Sequence, residues 1–220
     1  MSTINVGMMT SGGLAPCLSS SVAHLVTYWA EAKQNGKIAG LTIRMYKDGY
    51  KGLLLGDSFV VPEEVWDTVG SLHEIGGSPI GNSRVKVRYT CPEVQNTSAK
   101  HILAMYKMIH KYMNLHYLEG FSFNASLFLQ LTNVKDCEAR GFVPKGTSPL
   151  EVASQQLLKD GINVIHTIGG DDTNTQAAEL SKYLLEQHNG KVVVVGMPKT
   201  VDNDVYPIKQ TFGAYTAACQ

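Results

Sequence analysis

Four short apolar runs punctuate the chain: Ile4 to Met9, Leu41 to Tyr46, Ile162 to Ile168 and Lys191 to Gly196. Each has the length and β-branched or alternating content of a strand, and the last two read as buried parallel strands. The stretches between them carry apolar residues at helical spacing. Leu18 to Gln34 places Val22, Leu25, Val26 and Trp29 on one face and stops at Gly36. Pro62 to Glu74 opens with proline and two acids and carries Val65, Trp66, Val69 and Leu72, predicting a further helix. Ser148, Pro149 and Glu151 have the N-cap, N1 and capping-box positions of a helix that runs to about Lys159 and ends at Gly161. Thr173 to His188 gathers Ala177, Leu180, Leu184 and Leu185, with Gly190 past its end. Strand and helix alternate, which predicts an α/β fold: a mostly parallel sheet with helices on both faces.

In such sheets ligands sit at the carboxyl ends of the strands, and here those ends carry chemistry. The run ending at Ile168 is followed by Gly169-Gly170-Asp171-Asp172-Thr173-Asn174-Thr175. The run ending at Gly196 leads into Pro198-Lys199-Thr200-Val201-Asp202-Asn203-Asp204. The first run leads into Thr10-Ser-Gly-Gly-Leu-Ala-Pro16. Paired glycines let backbone approach a phosphate, and the following helix offers free N–H groups. The carboxylates suit Mg²⁺ shared with phosphate oxygens, and a lysine, a hydroxyl and an aspartate suit phosphoryl transfer to an alcohol. A polar loop that only caps helices is the simpler alternative for any one of these segments. Two in one β-α-β unit argue against it.

These two loops resemble those of the phosphofructokinases, in which a GGD loop faces a P-x-T-[IV]-D-N-D loop. Gly13 lies in a stretch similar to the family's T-[SA]-G-G-x-A-P loop. Lys47 to Leu53 resembles its G-Y-x-G-L turn, and Gly76 to Arg84 its G-G-[ST]-x-[IL]-G-x-S-R loop. Asp172 and Lys199 stand where the ATP enzymes usually carry glycine, so the resemblance is to the pyrophosphate-dependent branch. The resemblance implies Asp202 as general base, with Lys199 and Asp172 completing the catalytic group. Lys199 would stabilise charge on the transferring phosphoryl group, and Asp172 would keep nucleotide out. Gly13 and Arg84 would bind the phosphoryl donor. Thr200, Val201, Asp202 and Asp204 would lie against fructose 6-phosphate, and Asp171 would hold Mg²⁺. The implied partners are pyrophosphate and fructose 6-phosphate, with a homo-oligomer at full length. The implied setting is glycolysis in the cytoplasm. The weighed alternatives are an ATP-dependent member of the family and a catalytically silent fragment or regulatory partner.

The resemblance is interrupted. It runs through Lys86 and resumes at Leu131-Thr-Asn-Val-Lys-Asp136, where related sequences continue without a break. The 44 residues Val87 to Gln130 hold only Gly120 of the chain's 21 glycines, so their composition is foreign to the rest. Residues 1–86 and 131–220 are therefore expected to form a phosphoryl-donor-binding domain, and 87–130 an insert. It could be a real helical arm, since Ile102, Met105, Tyr106, Ile109, Tyr112 and Met113 make a stripe. The favoured reading is a retained intron, since Val87-Arg88 and Leu127 to Gln130 are encodable as splice donor and acceptor. Tyr206 to Ala218 resembles a helix start after the second loop, and family members are longer. The domain is therefore expected to be incomplete at Gln220.

Composition narrows the rest. Basic and acidic residues balance at 19 each, which gives no basic footprint for nucleic acid or an anionic membrane. No apolar run approaches the ~20 residues of a membrane span, and the N-terminus lacks the pattern of a secretory signal. Cys17, Cys91, Cys137 and Cys219 have no metal-ligand spacing and are expected to be reduced thiols.

Overall fold

The computed structural model describes residues 2–87 and 134–200, together with Lys209 and Cys219. Its elements, in chain order, are β1 (Thr3–Ser11), α1 (Cys17–Gln34), β2 (Gly40–Tyr46), α2 (Tyr50–Leu55), β3 (Ser58–Val60), a 3-10 segment (Glu63–Glu74), α3 (Val134–Ala139), α4 (Pro149–Lys159), β4 (Val164–Gly169), α5 (Asp171–His188) and β5 (Val193–Pro198). The strands form one sheet in the order β3-β2-β1-β4-β5. All neighbours are parallel except β2 and β3.

Alternation along the strands sends side chains into two cores. Val6, Met8, Ile43, Met45 and Ile168 face α1 and the 3-10 segment, meeting Leu18, Val22, Val26 and Trp66. Met9, Tyr46 and Ile165 face α2, α4 and α5, meeting Leu53, Leu157, Leu180 and Leu184. Helices on both faces of a mostly parallel sheet is the fold class that the alternation predicts. Gly36, Gly161 and Gly190 take φ near +65° just after α1, α4 and α5, as helix stops should.

Several local expectations need correction. Lys47 to Leu53, expected as a turn, is a turn only as far as Gly49, and Tyr50 opens α2. Pro62 to Glu74 is a 3-10 rather than an α-helix. Trp66, Val69 and Leu72 are three apart, and side chains at i and i+3 eclipse in a 3-10 helix, so that spacing makes one inward row. Val65 falls off the row and is exposed. Ser148 does stand at the N-cap of α4, but makes no side-chain capping bond. Glu151 Oε1 instead accepts from Gln155 Nε2 at 3.1 Å. Leu185 is exposed, lying over the Gly190 turn rather than in the core. β5 was expected to be buried but is the outer strand among the described residues, and Val193 is 56% exposed. The Ile102 to Met113 stripe lies outside the described residues, as do Cys91 and all of the Tyr206 to Ala218 helix except Lys209.

One buried histidine joins α1 to the sheet. The Trp29 indole donates to His166 Nε2 at 3.0 Å. His166 Nδ1 is buried without a partner among the described residues. Burial holds the imidazole down at about 4, so the neutral ring is the folded form. Its contribution to stability is complete above about 6.5 and is lost as pH falls toward about 4, amounting to about 3 kcal/mol. His166→Gln keeps an acceptor for Trp29 but does not titrate. Urea midpoints followed from neutral pH to about pH 4.5 should therefore fall less in this variant than in the parent. Equal falls would remove His166 as the cause.

Candidate active site

The site is a consequence of strand register. Ser11 of β1 pairs with Gly169 of β4, and Gly169 pairs with Pro198 of β5. Three parallel strands thus end side by side, and the next residues, Gly12, Gly170 and Lys199, leave the sheet together. The Lys199 N–H donates to Gly169 O at 2.8 Å. Asn174 Nδ2 donates to the carbonyls of Gly169 and Gly170, both at 2.8 Å, and so fixes the second glycine pair.

The glycines are required by crowding. A Cβ on Gly169 would lie 2.3 Å from Ser11 O and 2.5 Å from Thr173 Oγ1. Gly12 has φ +90°, and a Cβ there would lie 3.1 Å from Thr173 Oγ1. At Gly13 the nearest atom to a Cβ would be Lys199 Nζ, at 3.7 Å. The lysine therefore folds back over the first glycine loop, with its side chain buried. Cys17, at the start of α1, is in reach of the same charge. Burial pushes its thiol up, while the local backbone hydrogen bond and the Lys199 ammonium pull it back. Neither α1 nor α5 has a side-chain cap at its N-terminus. In α1 the Leu18 and Ser19 N–H groups already donate to Ala15 O at 3.3 Å and Gly77 O at 2.8 Å, so the N-terminus of α5 is the one left open to an anion among the described residues.

Arg84 reaches this place on a loop that is stitched down. Gly12 N donates to Ser83 O at 2.8 Å, Ser11 Oγ to the same carbonyl at 3.1 Å, and Asn82 Nδ2 to Gly12 O at 2.8 Å. Thr10 Oγ1 donates to Gly81 O at 2.7 Å, and Ser83 Oγ donates to Asp48 O at 2.5 Å. Asp48 itself holds a left-handed φ of +53°, with its N–H on Ile80 O at 3.0 Å. Arg84 is exposed and makes no ion pair or hydrogen bond among the described residues. Its backbone is thus fixed beside Gly12, and no described residue engages its guanidinium.

The two aspartates differ. They lie in the first turn of α5 rather than in a loop before it. Asp171 is exposed, with no ion pair or hydrogen bond among the described residues. Asp172 Oδ2 accepts from Lys86 Nζ at 2.6 Å. Among the described residues no group of three or more His, Cys, Asp or Glu could hold a metal ion. Asp171 alone fits Mg²⁺ of the kind that is bound by one carboxylate and otherwise by phosphate oxygens and water. Thr200 is buried next to Lys199. Val201, Asp202 and Asp204 lie outside the described residues.

The structure therefore brings together Gly13, Lys199, Thr200, Asp171, Asp172 and the backbone of Arg84. Sequence reading missed Asn174, Asn82 and Asp48, whose work is to hold loops through backbone contacts. It also missed Lys86 as the partner of Asp172, 86 residues away in sequence.

Known proteins resemble this chain along its length. The phosphofructokinase family matches residues 5–220. A pyrophosphate–fructose 6-phosphate 1-phosphotransferase of Methylotuvimicrobium alcaliphilum is 43% identical over 215 residues, covering 98% of this chain and 40% of the relative. A protein of the same name from Mastigamoeba balamuthi is 40% identical with the same coverage. The crystal structure of a pyrophosphate-dependent phosphofructokinase from Marinobacter aquaeolei shares the fold at TM-score 0.56 and 16% identity, over 92% of this chain and 35% of that one. The chain thus spans about two fifths of the length of the relatives it matches. On the family match and these identities, it belongs to the phosphofructokinase family.

Proposed function

We propose that this chain supplies the phosphoryl-donor half of an enzyme that moves a phosphoryl group from pyrophosphate to the 1-hydroxyl of fructose 6-phosphate. The observation that carries the reading is Lys199. Its ammonium is buried and folded over Gly13, where an inorganic donor would lie between the glycine loops and the N-terminus of α5. The names of the relatives above support the same donor.

The residues divide the work. The Gly12–Gly13 and Gly169–Gly170 backbone admits phosphate closely. Lys199 offsets charge as it builds on the transferring group, and Arg84 holds the donor from the exposed side. Asp171 would hold Mg²⁺, which supplies charge neutralisation between donor oxygens. Asp172 occupies the space that a nucleoside-linked phosphate would need. Asp202 takes the proton from the sugar hydroxyl as oxygen attacks phosphorus, and phosphate leaves. Thr200, Val201 and Asp204 would line the sugar phosphate. The same reading makes the protein a cytoplasmic enzyme of glycolysis, homo-oligomeric at full length. Its thiols Cys17 and Cys137 are free, and among the described residues no helix is long and apolar enough to cross a membrane.

The segment 87–130 belongs to this proposal as an addition to the domain rather than a part of it. Val87 is wholly buried in the core, so the domain as folded extends at least to that residue. A chain running from Lys86 straight into Leu131 would put an apolar residue in the same slot. Cys137 Sγ donates to Lys86 O at 3.6 Å, so the returning helix stands beside the point of departure.

The test is formation of fructose 1,6-bisphosphate from fructose 6-phosphate and Mg²⁺ with either donor. Product with pyrophosphate and none with ATP is expected, and the reverse would revive the ATP-dependent reading. Pyrophosphate binding without product would make this chain a donor-binding unit only. A shortened chain lacking Val87 to Gln130 should fold with the same donor preference, and transcripts that omit those codons should be found. Failure of the shortened chain to fold would make the segment part of the domain.

A further inference from the structure

We infer that Lys86 is a positioning residue for the donor site: its ammonium neutralises Asp172 and holds that carboxylate against the first turn of α5, so that a polyanion can bind beside it. This rests on the reading that the donor is pyrophosphate. The starting point is a conflict of charge. A bare carboxylate at Asp172 would repel the α-phosphate of a nucleotide, but it would repel pyrophosphate as well. Repulsion alone cannot separate the two donors. Bulk can, provided the charge is cancelled.

The structure supplies the cancelling group and fixes it. Lys86 Nζ lies 2.6 Å from Asp172 Oδ2, with the lysine side chain 20% exposed and the aspartate 60%. Lys86 cannot drift, because both neighbours are anchored. Val85 and Val87 are buried in the core beneath α2 and α5. The Val87 N–H donates to Gln176 Oε1 at 2.8 Å, and Gln176 Nε2 donates to Asp172 O at 3.0 Å. One glutamine thus ties the backbone after Lys86 to the backbone of the residue that Lys86 neutralises. The Lys86 carbonyl is engaged as well, by the Cys137 thiol. Asp171 makes no such pair among the described residues. The first turn of α5 then presents one free carboxylate for a cation and one screened carboxylate as a wall.

The experiment is a double-mutant cycle on the full chain, with inorganic pyrophosphate titrated calorimetrically in the presence of Mg²⁺. Lys86→Met uncovers Asp172 and should raise the dissociation constant on the order of tenfold, the Coulomb scale of two unit charges about 10 Å apart at an effective dielectric of about 20. Lys86→Arg should restore binding to near the parent value. In an Asp172→Asn background, Lys86→Met should change affinity little, because no carboxylate remains to be screened. An equal loss in both backgrounds would mean that Lys86 touches the phosphate directly, and no loss in either would make the pair an idle surface contact. Both results overturn the inference while leaving the pyrophosphate reading standing. A parent chain that does not bind pyrophosphate overturns that reading, and the inference falls with it. If Lys86→Met does not fold, Lys86→Gln closes the same cycle.

Discussion

Replacing Asp202 with alanine is expected to lower kcat for pyrophosphate-dependent phosphoryl transfer ~10²–10⁴-fold, the usual scale for a lost general base, in a protein that turns over. The Lys199 N–H ties the end of β5 to Gly169, and Asp202 follows three residues later in sequence. The donor contacts are assigned to other groups: Lys199, Arg84 and two stretches of backbone. Pyrophosphate affinity should accordingly change far less than turnover. Steady-state rates and a pyrophosphate titration on the same preparation separate the two effects. Asp202→Asn should lose nearly as much rate as alanine, because its amide cannot take the proton. Parallel loss of rate and affinity would mean that Asp202 shapes the loop instead.

The second large effect concerns stability and is set far from the chemistry. A Cβ on Gly52 would lie 1.9 Å from Lys47 O and 2.9 Å from Asp57 O. Neither carbonyl can retreat cheaply. Lys47 N donates to Asp57 O at 3.0 Å, and Asp57 N donates to Gly52 O at 2.8 Å, so the three residues form one closed backbone knot. Gly52→Ala should cost roughly 3–5 kcal/mol, at the upper end for point substitutions. Gly70→Ala is the control, since nothing lies within 4 Å of its added methyl, and its effect should stay within about 0.5 kcal/mol. Urea unfolding of both variants decides the matter. Similar midpoints would show that the knot yields.

This contrast between two glycines also marks what a sequence can convey. β1, β2, β4 and the helices α1, α4 and α5 were legible because their periods are long and the helices stop at glycines with positive φ, whereas the six-residue α2 and α3 are too short to show a period. β3 was not, since three residues carry no period and the strand exists only by pairing with Arg44 to Tyr46. The 3-10 segment was read as an α-helix because three acceptable apolar spacings overlap over so few turns. At the site, the glycine pairs, Lys199 and the aspartates were visible as types at fixed offsets. Their unequal state was not. Asp171 and Asp172 are neighbours of one kind, and only a lysine 86 residues upstream distinguishes them.

The central place of β1 also sets the order of events while the chain is being made. Its β2 side can pair once residue 46 has emerged, but its β4 side must wait for Val164 to Gly169. At ~5–20 residues per second that wait lasts roughly 6–24 s, of which Val87 to Gln130 add roughly 2–9 s. Meanwhile one long edge of β1 stays open, with Met9 uncovered on the face that β4 and α5 will close. A nascent chain in this condition is a natural client for a chaperone. Both glycine loops lie at the ends of that late pairing, so they come together in a single step once β4 has emerged.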